Sequence, residues 1–309
     1  MTDRVFITGA GGVVGQALTI ACKGAGQDVV GGASRMDGDL EDFNEARRLL
    51  RDAKPTVVYH LAAAVYGLGG NSAFPGDSSR RNLLINTHVV AAAHEAGVRK
   101  IVAMGSAAMY PDGLAQPFRE SDLLLGEPHD SEAAYAESKR AMLAMLRAYQ
   151  KQFSMDYGFV VATNMYGPGD RFDVKYGHVV PSLVAKFHAA EASSQEVEVW
   201  GDGSPTRDFL FSDDAAAGLI AIMERGEGLY NLASGTSVPI ASLVAEVAKA
   251  FPGVRFRWDP TRPLGQLRRS YDIARISSLG FAPKVSLAQG VAKTASWYRA
   301  NAADARRTA

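Results

Sequence analysis

Cysteine is almost absent from this chain: Cys22 is the single thiol in 309 residues. Neither an internal disulfide nor a thiolate metal site can be built from it, and a reducing, cytoplasmic compartment is the default expectation. Net charge is absent as well, because 33 Lys and Arg balance 33 Asp and Glu. A neutral chain attracts neither nucleic acid nor an anionic membrane over long range. Long apolar runs are missing. The longest, such as Leu61 to Tyr66, which stops at Gly67, fall far short of the ~18 residues of a membrane span, and the opening MTDRVFITGAGG lacks the apolar stretch of a signal peptide. Glycine, in contrast, is plentiful: 31 residues, about 10% against an average near 7%, with no collagen-like period, so the excess belongs to particular turns.

Short β-branched runs alternate with longer helical patterns. RVFIT (4–8), DVV (28–30), TVVYH (56–60), KIVAM (100–104) and YGFVVAT (157–163) read as strands, and helices are expected at 13–24, 41–53, 79–96 and 131–153. The runs are apolar on both faces, as strands between two helix layers require. The expected fold is α/β, a doubly wound parallel (Rossmann) sheet with a smaller C-terminal substrate-binding cap. The expected division is 1–167 for an NADP-binding domain, with returning elements from about 206–234, and 168–309 mainly for the cap. EVEVW (196–200) and VRFRW (254–258) are short cap strands, while the helix and strand in DFLFSDDAAAGLIAIMER and GLYNLAS return to the main sheet. No internal repeat is present, and the tail NAADARRTA is expected to fray.

The first strand runs into Gly9, Gly12 and Gly15, a G-x-x-G-x-x-G turn that also holds Gly11, Val13 and Val14. Gly9 permits the tight turn, Gly12 lets amides approach a pyrophosphate, and Gly15 lets the helix pack closely on the strand. The helix N-terminus then faces the anion. With a strand before and a helix after, the context for dinucleotide binding is met. The second strand ends VVGGASR, with no carboxylate at its tip to hold ribose hydroxyls. Ser34 and Arg35 follow, a hydroxyl and a guanidinium suited to a ribose phosphate. NADPH is therefore favoured over NADH, with Asp37 or Asp39 as competitors for the opposite choice and a solvated loop charge as the plain reading of Arg35.

Tyr135 and Lys139, in Y-A-E-S-K, share one helix face. An ammonium beside a phenol lowers the phenol pKa, making the tyrosine a usable acid or base. Ser106, just past KIVAM, lies at a strand's C-terminal end, where such a sheet presents ligands and a hydroxyl can polarise a carbonyl.

Through TGAGGVVG, HLAA (60–63), GSAAMY, YAESK and ATNMYGPG the chain resembles the extended short-chain dehydrogenase/reductase superfamily. Within it the chain is similar to the GDP-fucose synthases, reductase/epimerases of GDP-4-keto-6-deoxymannose, through GSAAMYP (105–111), TNMYGPGDRF (163–172), GHVVPSLVAKFH (177–188), VWGDGSPTRDFLFSDDAA (199–216) and YNLAS. The resemblance covers nearly the whole chain. It implies Ser106, Tyr135 and Lys139 as the catalytic set, with Tyr135 giving a proton to the sugar oxygen and Lys139 also holding the nicotinamide ribose. It implies Leu61, Ala62 and Ala63 on the adenosine side, Asn82 in a supporting helix and Asn164 near nicotinamide and substrate. His178 matches the acid/base histidine, Lys186 stands where an arginine near the phosphates is usual, and Arg207 matches the grip on the diphosphate. A homodimer is implied, joined through the helices at 79–96 and 131–153.

The candidate cofactor set is thus Gly9, Gly11, Gly12, Val13, Val14, Gly15, Ser34, Arg35, Asp39, Leu40, Leu61, Ala62, Ala63, Tyr135, Lys139 and Asn164. The candidate substrate set is Ser106, Ala107, Ala108, Asn164, His178, Lys186, Trp200, Arg207 and Arg268. No metal is expected. One departure stands out: where the family carries Ser-Ser-Cys, with a thiol that exchanges protons beside the ketone, this chain has Ser106, Ala107 and Ala108. An alanine methyl takes no proton.

Other residues have plainer readings. His60, His88, His94, His129 and His188 suit strand-end, helix-face or surface roles, and His178 by itself could simply cap a helix. Asp213 and Asp214 suit a helix start. Arg255, Arg257, Arg262, Arg268 and Arg269 suit phosphate contacts to one nucleotide rather than nucleic acid, and Trp200 suits core filling or base stacking. The function expected is an NADPH-dependent reductase of a nucleotide-linked, GDP-bound 4-keto-6-deoxy sugar, with epimerisation in doubt. The competing readings are a full epimerase/reductase, a UDP- or dTDP-sugar 4-epimerase or dehydratase, and a non-catalytic dinucleotide sensor, which has no need of the Ser, Tyr and Lys set.

Overall fold

In the computed structural model, which describes residues 3–33, 37–65, 73–174, 177–261 and 267–305, the expected alternation resolves into β1 (Arg4–Thr8), α1 (Val13–Gly24), β2 (Asp28–Ala33), α2 (Phe43–Ala53), β3 (Val57–His60), α3 (Pro75–Glu95), β4 (Lys100–Met104), α4 (Ala133–Phe153) and β5 (Asp156–Ala162). These strands and β9 (Gly228–Leu232) form one six-stranded sheet, in the order β2-β1-β3-β4-β5-β9. Every pairing in it is parallel. Between β9 and β5 the chain forms β6 (Asn164–Tyr166), α5 (Val179–Ser193), β7 (Val197–Trp200), β8 (Thr206–Phe211) and α6 (Ser212–Arg225).

Strand side chains alternate between two buried faces, which explains why both were apolar in sequence. Phe6, Val58, Ile101, Phe159 and Val161 pack with Leu50 of α2, Val89 of α3 and Leu143 of α4. Ile7, Tyr59, Val102 and Val160 face the other way, against Leu18 and Cys22 of α1 and Leu219 and Ile222 of α6. Lys100 ties α6 to the sheet: its buried ammonium donates to the carbonyls of Ile222, Met223 and Gly226 at 2.6–2.8 Å. A cation at a helix C-terminus satisfies carbonyls that lack intrahelical partners.

A third core holds the rest of the chain. It joins α5 and β7 to α7 (Ile240–Ala250) and α8 (Leu287–Asn301), with Phe187, Val199, Leu243, Val247 and Tyr298 buried together. β8 lies between β6 and β10 (Ser237–Pro239) in a separate three-stranded sheet, and β7 pairs with β11 (Phe256–Asp259). Of the segments expected to return to the main sheet, α6 and β9 do so, while 206–211 forms the small sheet. Local chemistry moves some helix ends: α2 starts after Asp42, whose carboxylate accepts from Asn44 N at 2.7 Å, and α3 starts at Pro75, a residue suited to a first turn. A 3-10 turn at Asp130–Glu132 precedes α4 (Ala133–Phe153). Among the described residues no helix is long and apolar enough to cross a membrane.

Candidate active site

The C-terminal ends of β1, β3, β4 and β5 converge with α4, where a parallel sheet offers open backbone groups and helix starts. At the end of β1, Gly9 adopts φ +70°, and a Cβ there would stand 2.9 Å from Ala62 N. A Cβ on Gly15 would overlap the Gly9 carbonyl oxygen. Gly12 N donates to Gly9 O at 2.9 Å, and Gly12 caps α1 with no side chain. The first-turn amides of Val13, Val14 and Gly15 are therefore left to face an anion. Close backbone packing at Gly9 and Gly15, beside a helix start with no side-chain cap, fits a dinucleotide pyrophosphate.

Other members of the expected cofactor set are distributed unevenly. Leu61 N and Ala62 N donate to Thr8 Oγ1 at 3.1 and 3.2 Å, beside the glycine turn, and Ala63 follows them half-buried. Asn82 is fully buried and holds both the N–H and the carbonyl of Ala64 at 3.0 Å. Asp39 accepts from Glu41 N at 2.9 Å and so shapes the turn before α2. The Leu40 carbonyl stands 3.2 Å from His88 Nδ1. Ser34 and Arg35 lie outside the described residues, as does Arg262.

Ser106 follows the extended end of β4 and caps a 3-10 turn, Ala107–Met109, its Oγ accepting from Ala108 N at 3.2 Å. Tyr135 and Lys139 face this serine's segment from the first turns of α4. Lys139 is 2% exposed, and its Nζ stands 5.9 Å from the Tyr135 ring centroid and 3.5 Å from Asn86 Oδ1. The expectation that this ammonium lowers the phenol pKa is not met. Burial raises Tyr135 above its ordinary value, and the nearby Glu132 carboxylate adds to the effect. Burial also brings Lys139 down to about 7. Desolvation dominates both shifts because each group loses its water.

On the cap side, His178 is exposed at the start of α5 and makes no side-chain capping bond, so capping does not account for it. Lys186 donates to the Glu198 carbonyl at 3.3 Å and lies 5.4 Å from the Trp200 ring centroid, with burial lowering its pKa. Trp200 is 57% exposed, which corrects its reading as a core filler. Asn164 Nδ2 donates to the Asp208 carbonyl at 2.9 Å, joining β6 to β8. Arg207 donates to the Thr206 carbonyl at 2.8 Å. Burial lowers its pKa and the neighbouring Arg269 lowers it further.

The candidate Arg268 turns outward: it is exposed, and its carbonyl accepts from Gln116 Nε2 at 2.7 Å. Its neighbour Arg269 turns inward to Glu132. The two adjacent arginines thus differ in burial, Arg268 facing solvent and Arg269 the Glu132 carboxylate. Sequence reasoning also missed Glu132 and Asn86. A signal for Asn86 was present, since Ser78, Asn82 and Asn86 are buried at four-residue spacing among apolar residues of α3.

Residues 5–233 match the model of the NAD dependent epimerase/dehydratase family. The chain belongs to this family. This epimerase/dehydratase chain is 37% identical over 310 residues to the probable GDP-L-fucose synthase 1 of Oryza sativa subsp. japonica, covering 98% of this chain and 94% of that one. It superposes on a GDP-L-fucose synthetase from Naegleria fowleri bound to NADP with a TM-score of 0.90, at 28% identity over 99% of this chain and 98% of the other. A GDP-mannoheptose C4 reductase from Campylobacter jejuni with NADP bound gives a TM-score of 0.85 at 25% identity, covering 96% and 98%. The family and its fold make the chain an NAD(P)-dependent oxidoreductase of the extended short-chain dehydrogenase/reductase type.

Proposed function

We propose that the chain is an NADPH-dependent reductase of a GDP-linked 4-keto-6-deoxy sugar that does not epimerise its substrate. The first half of the chain, 1–167 with the returning α6 and β9, binds the cofactor, and 168–309 mainly forms the substrate cap. When bound, the nicotinamide supplies the hydride. Ser106 donates a hydrogen bond to the carbonyl oxygen, and Tyr135 gives that oxygen its proton. A proton donor has to be protonated at working pH, and burial keeps the Tyr135 phenol so. The Lys139 ammonium stabilises the phenolate left behind. Arg207, Arg269 and Lys186 face the diphosphate, and the exposed Trp200 ring is suited to stacking on the base.

The observation that carries the reductase-only reading is the surroundings of Ala108. Its methyl is 4% exposed within an apolar cluster, and Cys22 is buried on the opposite face of the sheet. Two nearby groups, Tyr110 and His129, could take a proton in the thiol's place, and both are engaged. Tyr110 is 4% exposed, donates to Asn231 Oδ1 at 2.6 Å and stacks on Phe118. His129 Nδ1 lies 2.8 Å from Ser131 Oγ, bracing the 3-10 turn before α4. His178 is then the base that the resemblance supplies, and a single imidazole does not serve two ring carbons on both faces.

A second reading, a full GDP-L-fucose synthase, draws on the names of the relatives and on the uncapped, exposed His178. Reaction of GDP-4-keto-6-deoxymannose with NADPH in heavy water, followed by NMR of the product, separates the two. No deuterium at carbons 3 and 5 is expected for the reductase. Deuterium there, in an L-configured sugar, establishes the synthase. Consumption of UDP- or dTDP-linked sugars without net NADPH oxidation would instead point to an epimerase or dehydratase. A homodimer through α3 and α4, which carry the exposed Leu83 and Phe153, and a reducing cytoplasmic setting complete the proposal. A monomer mass in light scattering would remove the dimer.

A further inference from the structure

Tyr271 carries a hydroxyl that the chain itself does not use. The residue is 4% exposed, and its oxygen, closed off from solvent, has no hydrogen-bond partner of ordinary geometry among the described residues. Its ring is held in place: Phe118 meets it edge-on at 5.8 Å between centroids, and Tyr110 lies tilted at 6.3 Å. The backbone is held as well, since Phe118 N donates to the Ser270 carbonyl and Asp272 N to the Phe118 carbonyl, both at 2.9 Å. Around the hydroxyl stand Thr163, Asp208, Arg207 and Arg269, each close enough to act on its charge. The acceptors among them are turned elsewhere. The Asp208 carboxylate accepts from Ser234 N and Ser234 Oγ at 2.9 and 3.0 Å, and Thr163 Oγ1 donates to the Asp208 carbonyl at 3.0 Å. The guanidiniums only donate. Burial pushes the phenol up to about 12 against the pull of Arg269, so it keeps its proton at neutral pH and is a donor too.

Resting on the reading of Arg207 and Arg269 as ligands of the diphosphate, we propose that Tyr271 is a further substrate-binding residue whose hydroxyl donates to a phosphate oxygen of the sugar nucleotide. Of the donors gathered here, Arg269 has the Glu132 carboxylate at 2.7 Å. Arg207 spends an N–H on the Thr206 carbonyl at 2.8 Å and forms no ion pair among the described residues. Arg207 and Tyr271 therefore call for the same kind of acceptor, and a phosphate group supplies it: several anionic oxygens that take bonds from different directions at once. Arg207 is half-buried, and a phosphate that draws its guanidinium outward opens the way to the hydroxyl beside it. Leaving a buried hydroxyl without an acceptor costs the folded chain stability. The same cost favours the ligand, because the phenol has already lost its water and the phosphate bond is formed without further desolvation of it.

Tyr271→Phe removes the hydroxyl and keeps the ring. Calorimetric titration is expected to show GDP binding to this variant about tenfold or more weaker than to the wild type, the loss typical of a hydrogen bond to a charged group. NADPH affinity is expected to stay within about twofold. Thermal melts separate a ligand contact from a structural one: without nucleotide, the variant is expected to melt at the wild-type temperature or above it, since the deleted hydroxyl had no partner. A fall in melting temperature without nucleotide gives the hydroxyl a structural role, and an unchanged GDP affinity removes it from the site; either overturns the proposal. GDP-mannose binding weakened while GDP binding is not would assign the hydroxyl to the sugar and overturn the phosphate contact. Titration with UDP tells this failure from that of the reading beneath it. UDP bound in place of GDP, with the same loss in Tyr271→Phe, overturns the guanosine assignment and supports Tyr271, whereas a wild type that binds neither nucleotide overturns both.

Discussion

The carboxylate of Glu132 and the guanidinium of Arg269, 137 positions apart in the chain, meet at 2.7 Å. Both side chains are under one-fifth exposed. Glu132 ends the turn that feeds α4, three residues before Tyr135, while Arg269 stands beside Arg207. Burial works against the charge on Arg269, and Glu132 together with Tyr271 outweighs it, so the net shift of its pKa is upward. Of the two neighbouring arginines, Arg269 has this carboxylate as its partner, and Arg207 lacks an ion pair among the described residues.

From this pair it follows that Glu132→Gln loses about 1–3 kcal/mol of stability in the chain alone, because Arg269 keeps its charge and loses its partner. GDP, whose diphosphate offers Arg269 a replacement, is expected to raise the melting temperature of the variant more than that of the wild type. Thermal melts with and without GDP measure both effects. Equal shifts would separate Arg269 from the diphosphate.

Tyr135→Phe keeps the ring and removes only the hydroxyl. Turnover is expected to fall by about 10²-fold or more, with NADPH affinity nearly unchanged, since the lost group acts in proton transfer. Stopped-flow kinetics with a cofactor titration on the same samples decide the matter. A near-normal rate would give the proton to another residue.

For the cofactor, Arg35→Ala is expected to weaken NADPH binding more than NADH binding, because only the former carries a phosphate on the adenosine ribose. Fluorescence titration of both cofactors against both proteins checks this. Equal losses would leave Arg35 as a solvated loop charge.

Acid stability carries a signature of His60. Burial, then the Lys139 charge, bring its pKa down to about 3, against an ordinary 6.5, with the Asn86 hydrogen bond opposing them. Between those values the unfolded chain binds a proton that the folded chain refuses. Stability from this group is therefore complete above about pH 6.5 and falls as the pH drops toward about 3, by more than about 1 kcal/mol per pH unit. His60→Gln is expected to flatten that slope in denaturant titrations between pH 4 and 7, and an unchanged slope would place the acid transition elsewhere.

Sequence alone determined what depends on near neighbours. Gly9, Gly12 and Gly15 define their turn through backbone geometry within seven residues, Tyr135 and Lys139 share a face because four residues make about one helical turn, and two-faced apolar strands require helices on both sides. Tertiary structure decided what depends on distant segments meeting. Which of Arg268 and Arg269 meets Glu132 follows from how 268–272 crosses Phe118 and Gln116. The sign of the Tyr135 shift follows from how much water the packed site removes, and no spacing in the sequence measures desolvation. The low pKa of His60 was equally out of reach: it follows from burial and from the Lys139 charge, and Thr8, Asn86 and Lys139, which surround the ring, come from three other elements of the fold.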